Sequence, residues 1–335
     1  MATQRTALIT GITGQDGRYL AELLISKGYR VYGLIRGQNN PKEPSLYEEI
    51  PQLHLLYGDV LDVSSLRQAL DDARPDEVYN LAAITYVGYS WKTAHLTRDV
   101  TGGGVLNMLE AVRAYQQATG HEVRFYQASS AEMYGKAREI PLSETSAFHP
   151  RSPYGVAKAY GHYITVNYRE SYGMHASSAI LFNHESPRRG TEFVTRRISR
   201  AVARISLGLQ DSVSLGNLEA LRDWGFAGDY VQAMHLMLQQ DQPDDYVLAT
   251  GEAHSVSEFV DLAFAAIGVS DWTPYVRVDQ ARMRPAEVDV LIGDASKAHA
   301  ALDWKPEMSF EELVDLMVTS DIRAESISLA QPRIR

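Results

Sequence analysis

The feature that most constrains this chain is its start. Residues 6–10, Thr-Ala-Leu-Ile-Thr, are a short apolar run of β type, and Gly11-Ile-Thr-Gly14-Gln-Asp-Gly17 follows at once. Residues 18–27 then place Tyr19, Leu20, Leu23 and Leu24 on one helical face, with Gly28 as the stop. Strand, glycine-rich turn, helix is the context a dinucleotide site requires. Glycines let the backbone turn tightly and approach a pyrophosphate, which then meets the N–H groups of the helix N-terminus. The spacing is G-x-x-G-x-x-G, and Gly11, Thr13, Gly14, Gln15, Asp16 and Gly17 are the candidate cradle.

The following residues extend that unit. Arg30–Ile35 predicts a second strand, residues 53–57 a third, 77–81 a fourth, 123–128 a fifth and 175–181 a sixth; helices are expected over 102–114 and 153–172. Strands alternating with helices imply an α/β fold, a doubly wound parallel sheet of Rossmann type, with ligands at the C-terminal strand ends. NAD-binding folds put a carboxylate near the end of the second strand for the ribose 2′-hydroxyl. Here the chain offers Arg36, with Lys42 nearby and no carboxylate before Glu43. A guanidinium suits a 2′-phosphate, so the expected cofactor is NADP; the bland alternative is a solvated surface arginine. Asp59 and Val60, after the third strand, and Leu81, Ala82 and Ala83, after the fourth, complete the candidate cofactor wall.

Composition narrows the class. The chain has 335 residues, 45% of them hydrophobic, and a net charge of −10, which argues against general affinity for nucleic acid or anionic membranes. No apolar run approaches the ~18 residues of a membrane span, and the N-terminus enters the first strand directly, so no signal peptide is expected. No Cys is present, which removes disulfides and thiolate chemistry, and the ten His residues show no metal-ligand spacing. A cytoplasmic protein without a metal is the expectation.

Pro153 suits the first turn of a helix, which puts Tyr154 and Lys158 one turn apart on one face. A cation beside a phenol favours the phenolate, so Tyr154 is expected to titrate below its ordinary range and to accept a hydroxyl proton. Tyr-x-x-x-Lys on an exposed helix is also common and usually idle. Ser129, Ser130 and Glu132 lie just past the fifth strand, at the ligand-binding edge, where serines also serve as caps and turns. A plain reductase needs a tyrosine, a lysine and a hydroxyl donor. Elimination next to a ketone needs a base as well, and Glu132 is placed to be one.

Taken in order, the 10–17 fingerprint, Gly58-Asp59, Leu81-Ala-Ala83, Ser130 and Tyr154-x-x-x-Lys158 resemble the extended short-chain dehydrogenase/reductase family. Within it, longer strings are similar to the GDP-mannose 4,6-dehydratases: Phe125-Tyr-Gln-Ala-Ser129, Pro150-Arg-Ser-Pro-Tyr-Gly155, Leu181-Phe-Asn-His-Glu-Ser-Pro-Arg-Arg-Gly190, Ser214-Leu-Gly-Asn-Leu218, Arg222-Asp-Trp-Gly225 and Arg284-Pro-Ala-Glu-Val-Asp289. The resemblance runs from about residue 7 to 318. It implies a bound NADP regenerated within each turnover and a GDP-mannose or related GDP-sugar substrate. It assigns Ser130, Glu132, Tyr154 and Lys158 to the chemistry, with Ser130 at a position where the family has Thr. His184 and Arg189 match cofactor contacts. Ser130, Glu132, Tyr154, Asn183, Val194, Arg197, Gly216, Arg222, Arg284 and Glu287 match the substrate site. Residues 1–182 are then mainly the NADP-binding domain and 183–325 mainly a smaller nucleotide-sugar-binding lobe. Segments at about 220–255 return to complete the first domain, residues 246–248 as a strand.

The basic run Arg188, Arg189, Arg196, Arg197, Arg200 and Arg204 invites an anionic ligand in a chain this acidic, although Arg200 and Arg204 at helical spacing also fit a solvated face. Trp224 and Trp304 are expected in the core. Helices are expected over 255–267 and 309–318. The 37–52 loop is short for the family and Ala82-Ala-Ile-Thr-Tyr86 departs from its usual sequence. Homodimer and homotetramer both stay open, as does the exact GDP-sugar; a GDP-sugar reductase or epimerase is the competing activity.

Overall fold

A computed structural model of the chain describes residues 4–37, 39–282, 286, 288 and 290–330. Strand β1 (Thr6–Thr10) leads into helix α1 (Gln15–Ser26), which starts inside the glycine turn rather than after it. The cause is Gly17. A Cβ there would stand 2.6 Å from the Gly11 carbonyl oxygen and 2.7 Å from Ile12 Cα, so only glycine lets the first helical turn fold back onto the strand.

The elements that follow are β2 (Arg30–Ile35), α2 (Glu43–Glu49), β3 (His54–Tyr57), α3 (Val63–Ala73), β4 (Glu77–Asn80), the short α4 (Val87–Ser90) and α5 (Ala94–Thr97), α6 (Gly104–Thr119), β5 (Arg124–Ala128), α7 (Pro153–Tyr172) and β6 (Ala176–Leu181). Helix α6 begins later than its periodicity suggests because a π-helical turn, Arg98–Gly103, precedes it. Gly102 in that turn brings the backbone against α7, where a Cβ would lie 3.3 Å from the Ala157 carbonyl oxygen.

Beyond β6 come β7 (Asn183–Glu185), α8 (Val194–Ser206), β8 (Val213–Leu215), β9 (Leu221–Arg222), β10 (Trp224–Phe226), α9 (Ala227–Gln239), β11 (Asp245–Leu248), α10 (Val256–Ala265), α11 (Ser296–Leu302) and α12 (Phe310–Ala330). Strands β11-β6-β5-β4-β1-β2-β3 make one seven-stranded sheet, parallel throughout. Strand β11 returns from the far part of the chain to pair with β6, Leu248 opposite Leu181. The order reverses between β1 and β4, so the crevice opens at their C-terminal ends.

Both sheet faces are covered. Leu20 and Leu24 of α1 pack with Met234 and Leu238 of α9 on one side; Leu66, Leu70, Met108 and Val112 of α3 and α6 pack on the other. This is why β4 and β6 are buried at every position. A third cluster, Ile198, Val202, Phe259, Phe264, Leu313 and Met317, joins α8, α10 and α12. Trp224 stacks on Phe310 in that cluster, and Trp304 lies under the sheet with its indole N–H donating to the Asp229 carbonyl at 2.8 Å. Helix α10 opens on a capping box formed by Ser255 and Glu258. Helix α12 runs well past residue 318, where Ile322 packs on the third cluster and Asp321 and Glu325 pair with arginines of α8. Among the described residues no helix is long and apolar enough to cross a membrane.

Candidate active site

The glycine turn rests on the end of β4. Gly11 has φ +71°, and a Cβ on it would stand 2.8 Å from the Leu81 carbonyl carbon and 2.9 Å from Ala82 N. Gly14 caps α1 without any side-chain partner, so the first-turn N–H groups face outward, with Thr13 half-buried beside them. Ala82 and Ala83 present small side chains along the same edge. Arg36 is exposed at the end of β2 and has no ion-pair partner among the described residues. Asp59 accepts from Leu61 N at 2.9 Å, and Val60, buried, packs where a Cβ on Gly104 would touch it at 2.9 Å. An uncapped helix N-terminus, a close glycine turn, a small-residue wall and an unpaired guanidinium fit a phosphorylated dinucleotide.

The turn is braced from the far side of the chain. Gln15 Nε2 donates to the His184 carbonyl at 3.0 Å, and Gln15 Oε1 accepts from Ser186 Oγ at 2.7 Å. His184 uses both ring nitrogens, Nδ1 toward the Phe182 carbonyl and Nε2 toward Asp16 Oδ2, each at 2.8 Å. Two acceptors require two N–H donors, so the ring is an imidazolium. Burial by itself lowers His184, but Asp16 outweighs it and the net shift is upward. Burial likewise pushes Asp16 up, yet His184 and Gln15 bring it down to about 2. Tyr230 stacks on the His184 ring at 4.7 Å. Gln15, Asp16 and His184 thus lock α1 to β7.

Ser130, Glu132, Tyr154 and Lys158 come together at the end of β5, all of them buried. Ser130 caps the short 3-10 turn Ala131–Met133 by accepting from Glu132 N at 3.2 Å, and it hydrogen-bonds the Tyr154 phenol. Helix α7, capped by Ser152 and opened by Pro153, lies directly on this turn. A Cβ on Gly155 would be 2.6 Å from the Glu132 carbonyl oxygen. One expectation fails. Lys158 does not hold Tyr154 low; burial dominates and pushes the phenol up, offset in part by the Ser130 hydrogen bond. The ammonium lies 5.8 Å from the Tyr154 ring centroid and donates instead to the Ala128 carbonyl at 2.7 Å. Its own burial pulls it down to about 8.

The basic run divides. Arg188 forms a bidentate pair with Glu22, Arg196 pairs with Asp321, and Arg200 and Arg204 share Glu325 at 2.8 and 2.7 Å. These four join elements rather than wait for an anion. Arg189 lies 3.2 Å from Glu185 and 3.6 Å over the Phe193 ring, and Arg197 donates to the Glu192 carbonyl at 2.8 Å. The remaining substrate candidates sit at element ends around the third cluster: Asn183 opens β7, Val194 opens α8, Gly216 follows β8 and Arg222 closes β9 with its guanidinium on the Leu221 carbonyl. Arg284 and Glu287 lie outside the described residues.

The contact between two rings in segments the sequence singles out only separately, Phe193-Val-Thr-Arg196 by its likeness to the family and Ala82-Ala-Ile-Thr-Tyr86 by its departure, appears only in the fold. Tyr86, after β4, meets Phe193, which caps α8, edge to face at 5.8 Å. Phe193 in turn supports Arg189.

Comparisons with known proteins agree with this geometry. The family model for GDP-mannose 4,6 dehydratase matches residues 8–317. The chain is 54% identical to GDP-mannose 4,6 dehydratase 2 of Arabidopsis thaliana over 95% of its length and 87% of the plant protein. It is 49% identical to the GDP-mannose 4,6 dehydratase of Homo sapiens, covering 95% and 92%. Among solved structures, RMD of Pseudomonas aeruginosa complexed with NADPH superposes with a TM-score of 0.78 at 25% identity, covering 95% and 99%. With the family model matching residues 8–317 and relatives about half identical over nearly the whole chain, the chain belongs to the GDP-mannose 4,6-dehydratase family.

Proposed function

We infer that this chain is an NADP-dependent GDP-mannose 4,6-dehydratase, converting GDP-α-D-mannose to GDP-4-dehydro-6-deoxy-α-D-mannose and water. The observation that carries the reading, beside family membership, is a buried carboxylate, Glu132, on the same turn as Ser130 and against the first turn of the Tyr154 helix. Bound NADP would supply the centre that accepts hydride from C4 and returns it to C6, together with a positive charge. Gly11, Gly14 and Gly17 would admit its pyrophosphate, Arg36 its 2′-phosphate, and the Leu81–Ala83 wall its nicotinamide half.

The rest is the work of side chains. Tyr154 takes the C4 hydroxyl proton while Ser130 holds the C4 oxygen. Because burial keeps Tyr154 protonated, this transfer needs cationic charge close by; Arg189 already pulls the phenol down, and the bound nicotinamide would add to it. Oxidation at C4 acidifies the C5 proton, and Glu132 removes it. The carboxylic acid so formed donates to the departing C6 hydroxyl, which leaves as water, and as C6 is reduced C5 regains a proton through Glu132, drawn from solvent. Asn183, Val194, Arg197, Gly216 and Arg222 line the side from which the GDP portion enters, with Arg189 near the cofactor.

We further infer a homo-oligomer. Trp91, Val156, Tyr160 and Tyr163 present an exposed apolar face beside a cavity of about 930 Å³. A related GDP-sugar is the second reading of the substrate, favoured by the departure of Ala82-Ala-Ile-Thr-Tyr86 from the family's usual sequence beside the cofactor wall.

Incubation with GDP-mannose and catalytic NADP tests the reaction: a 4-keto product forms with no net change in NADPH. Steady NADPH consumption or an intact 6-hydroxyl would point to a reductase or epimerase instead. Glu132→Gln keeps NADP binding and loses exchange of the C5 proton with solvent; normal exchange removes Glu132 from its role.

A further inference from the structure

Lys158 does not stand alone. Its ammonium shares the Ala128 carbonyl with a second donor, Gln127 Nε2, at 2.7 and 2.9 Å. Gln127 Oε1 accepts from Asn80 Nδ2 at 2.8 Å, and Asn80 Oδ1 accepts from Thr10 Oγ1 at 2.7 Å. Thr10 Oγ1 then accepts the backbone N–H groups of Leu81 and Ala82, both at 3.1 Å. Thr10, Asn80 and Gln127 are each 1–2% exposed and sit side by side at the C-terminal ends of β1, β4 and β5, Thr10 opposite Asn80 and Asn80 opposite Gln127.

The order of donors in this chain has a single solution. A hydroxyl has one proton and two lone pairs, and Thr10 uses all three. That obliges Asn80 to turn its oxygen to Thr10 and its NH₂ to Gln127, which in turn obliges Gln127 to aim its NH₂ at Ala128. Flipping either amide sets oxygen against oxygen. Three polar side chains buried together are costly unless each is paired, and here each is, in a series that ends on the acceptor of the ammonium.

We propose that Thr10, Asn80 and Gln127 are positioning residues that hold the Lys158 ammonium in register with the Leu81–Ala82 wall, so that the lysine and the cofactor wall keep one relative geometry through the reaction. The proposal rests on the part in the chemistry that the family resemblance assigns to Lys158. None of the three touches the sugar; each acts through the next.

The test is steady-state kinetics of the full-length enzyme on GDP-mannose with NADP, beside NADP affinity by calorimetry. Gln127→Leu should lower kcat by about tenfold or more while KM and the NADP Kd stay within about twofold of the parent. Thr10→Ser, which keeps the hydroxyl, should retain kcat to within about twofold, whereas Thr10→Val, which removes it at nearly constant volume, should lose about tenfold. The Thr10 pair carries the test if Gln127→Leu fails to fold. Parental kcat in folded Gln127→Leu or Thr10→Val overturns the proposal, and so does a parallel loss of kcat and NADP binding, which marks a merely structural role. Failure of the parent enzyme to convert GDP-mannose would instead overturn the functional reading.

Discussion

Gly17→Ala tests whether the cofactor cradle depends on the contact between α1 and the glycine turn. The added methyl carbon would stand 2.6 Å from the Gly11 oxygen, against 3.4 Å for ordinary contact, and all three atoms it meets belong to backbone. Relief therefore requires α1 to withdraw by roughly 0.8 Å. Overpacking of this kind costs about 1–3 kcal/mol, and replacing a helical glycine by alanine recovers about 1 kcal/mol. The net loss, about 0–2 kcal/mol, moves the Tm of a chain this long by at most about 3 °C. Binding suffers more. An N–H···O contact of about 2.9 Å stretched by that amount is no longer a hydrogen bond. Losing one such bond to a charged phosphate costs about 1.5–3 kcal/mol, or roughly 10- to 150-fold in Kd. Isothermal titration of nucleotide-free protein with NADP, paired with thermal melts, separates the two effects. A folded variant whose NADP Kd stays within about twofold of the parent would refute the argument that this contact sets the cradle.

Other consequences are more quickly tested. Arg36→Ala should weaken NADP by about tenfold or more and leave NAD affinity unchanged, read by the same titration; equal loss for both nucleotides would remove the 2′-phosphate contact. The Asp16–His184 pair gives stability a pH signature. The contribution of Asp16, depressed to about 2, is present above the ordinary 3.8 and lost as pH falls through about 2; that of His184, raised, is present below 6.5 and lost as pH climbs through its higher folded value. The Tm gap between parent and His184→Gln should therefore be widest from pH 3.8 to 6.5 and narrow above; a gap independent of pH refutes an imidazolium. Tyr86→Ala removes an edge-to-face contact with Phe193 worth about 0.5–1.5 kcal/mol and should lower unfolding stability by about that much in denaturant melts; unchanged stability would refute the contact's contribution.

Much of this enzyme is legible in its residue order because the informative signals are local. The β1 turn, the Pro153 start of α7 and the alternation of apolar strands with helices depend on neighbours within a few positions, and the structure repeats them nearly residue for residue. Their small misses come from contacts that periodicity does not encode. Helix α1 begins early because Gly17 permits one, and α12 runs long where Ile322 packs and Glu325 answers Arg200 and Arg204, more than a hundred residues away.

Charge partners and burial are where residue order falls short. An arginine reads the same whether it awaits a phosphate or already holds a carboxylate, and only the fold brings Glu22, Asp321 and Glu325 to the basic run. Tyr154 and Lys158 at i and i+4 suggested a lysine lowering a phenol. The fold buries both, raises the phenol and turns the ammonium to Ala128. Thr10, Asn80 and Gln127 are far apart in the sequence, and only the sheet sets them side by side. Sequence by itself determined the sheet, the cradle and the residue types at the active-site edge, since spacing along the chain specifies these. Tertiary structure alone decided which groups are charged, which are paired and what holds Lys158 in place, because dielectric environment and long-range contact belong to no single stretch of chain.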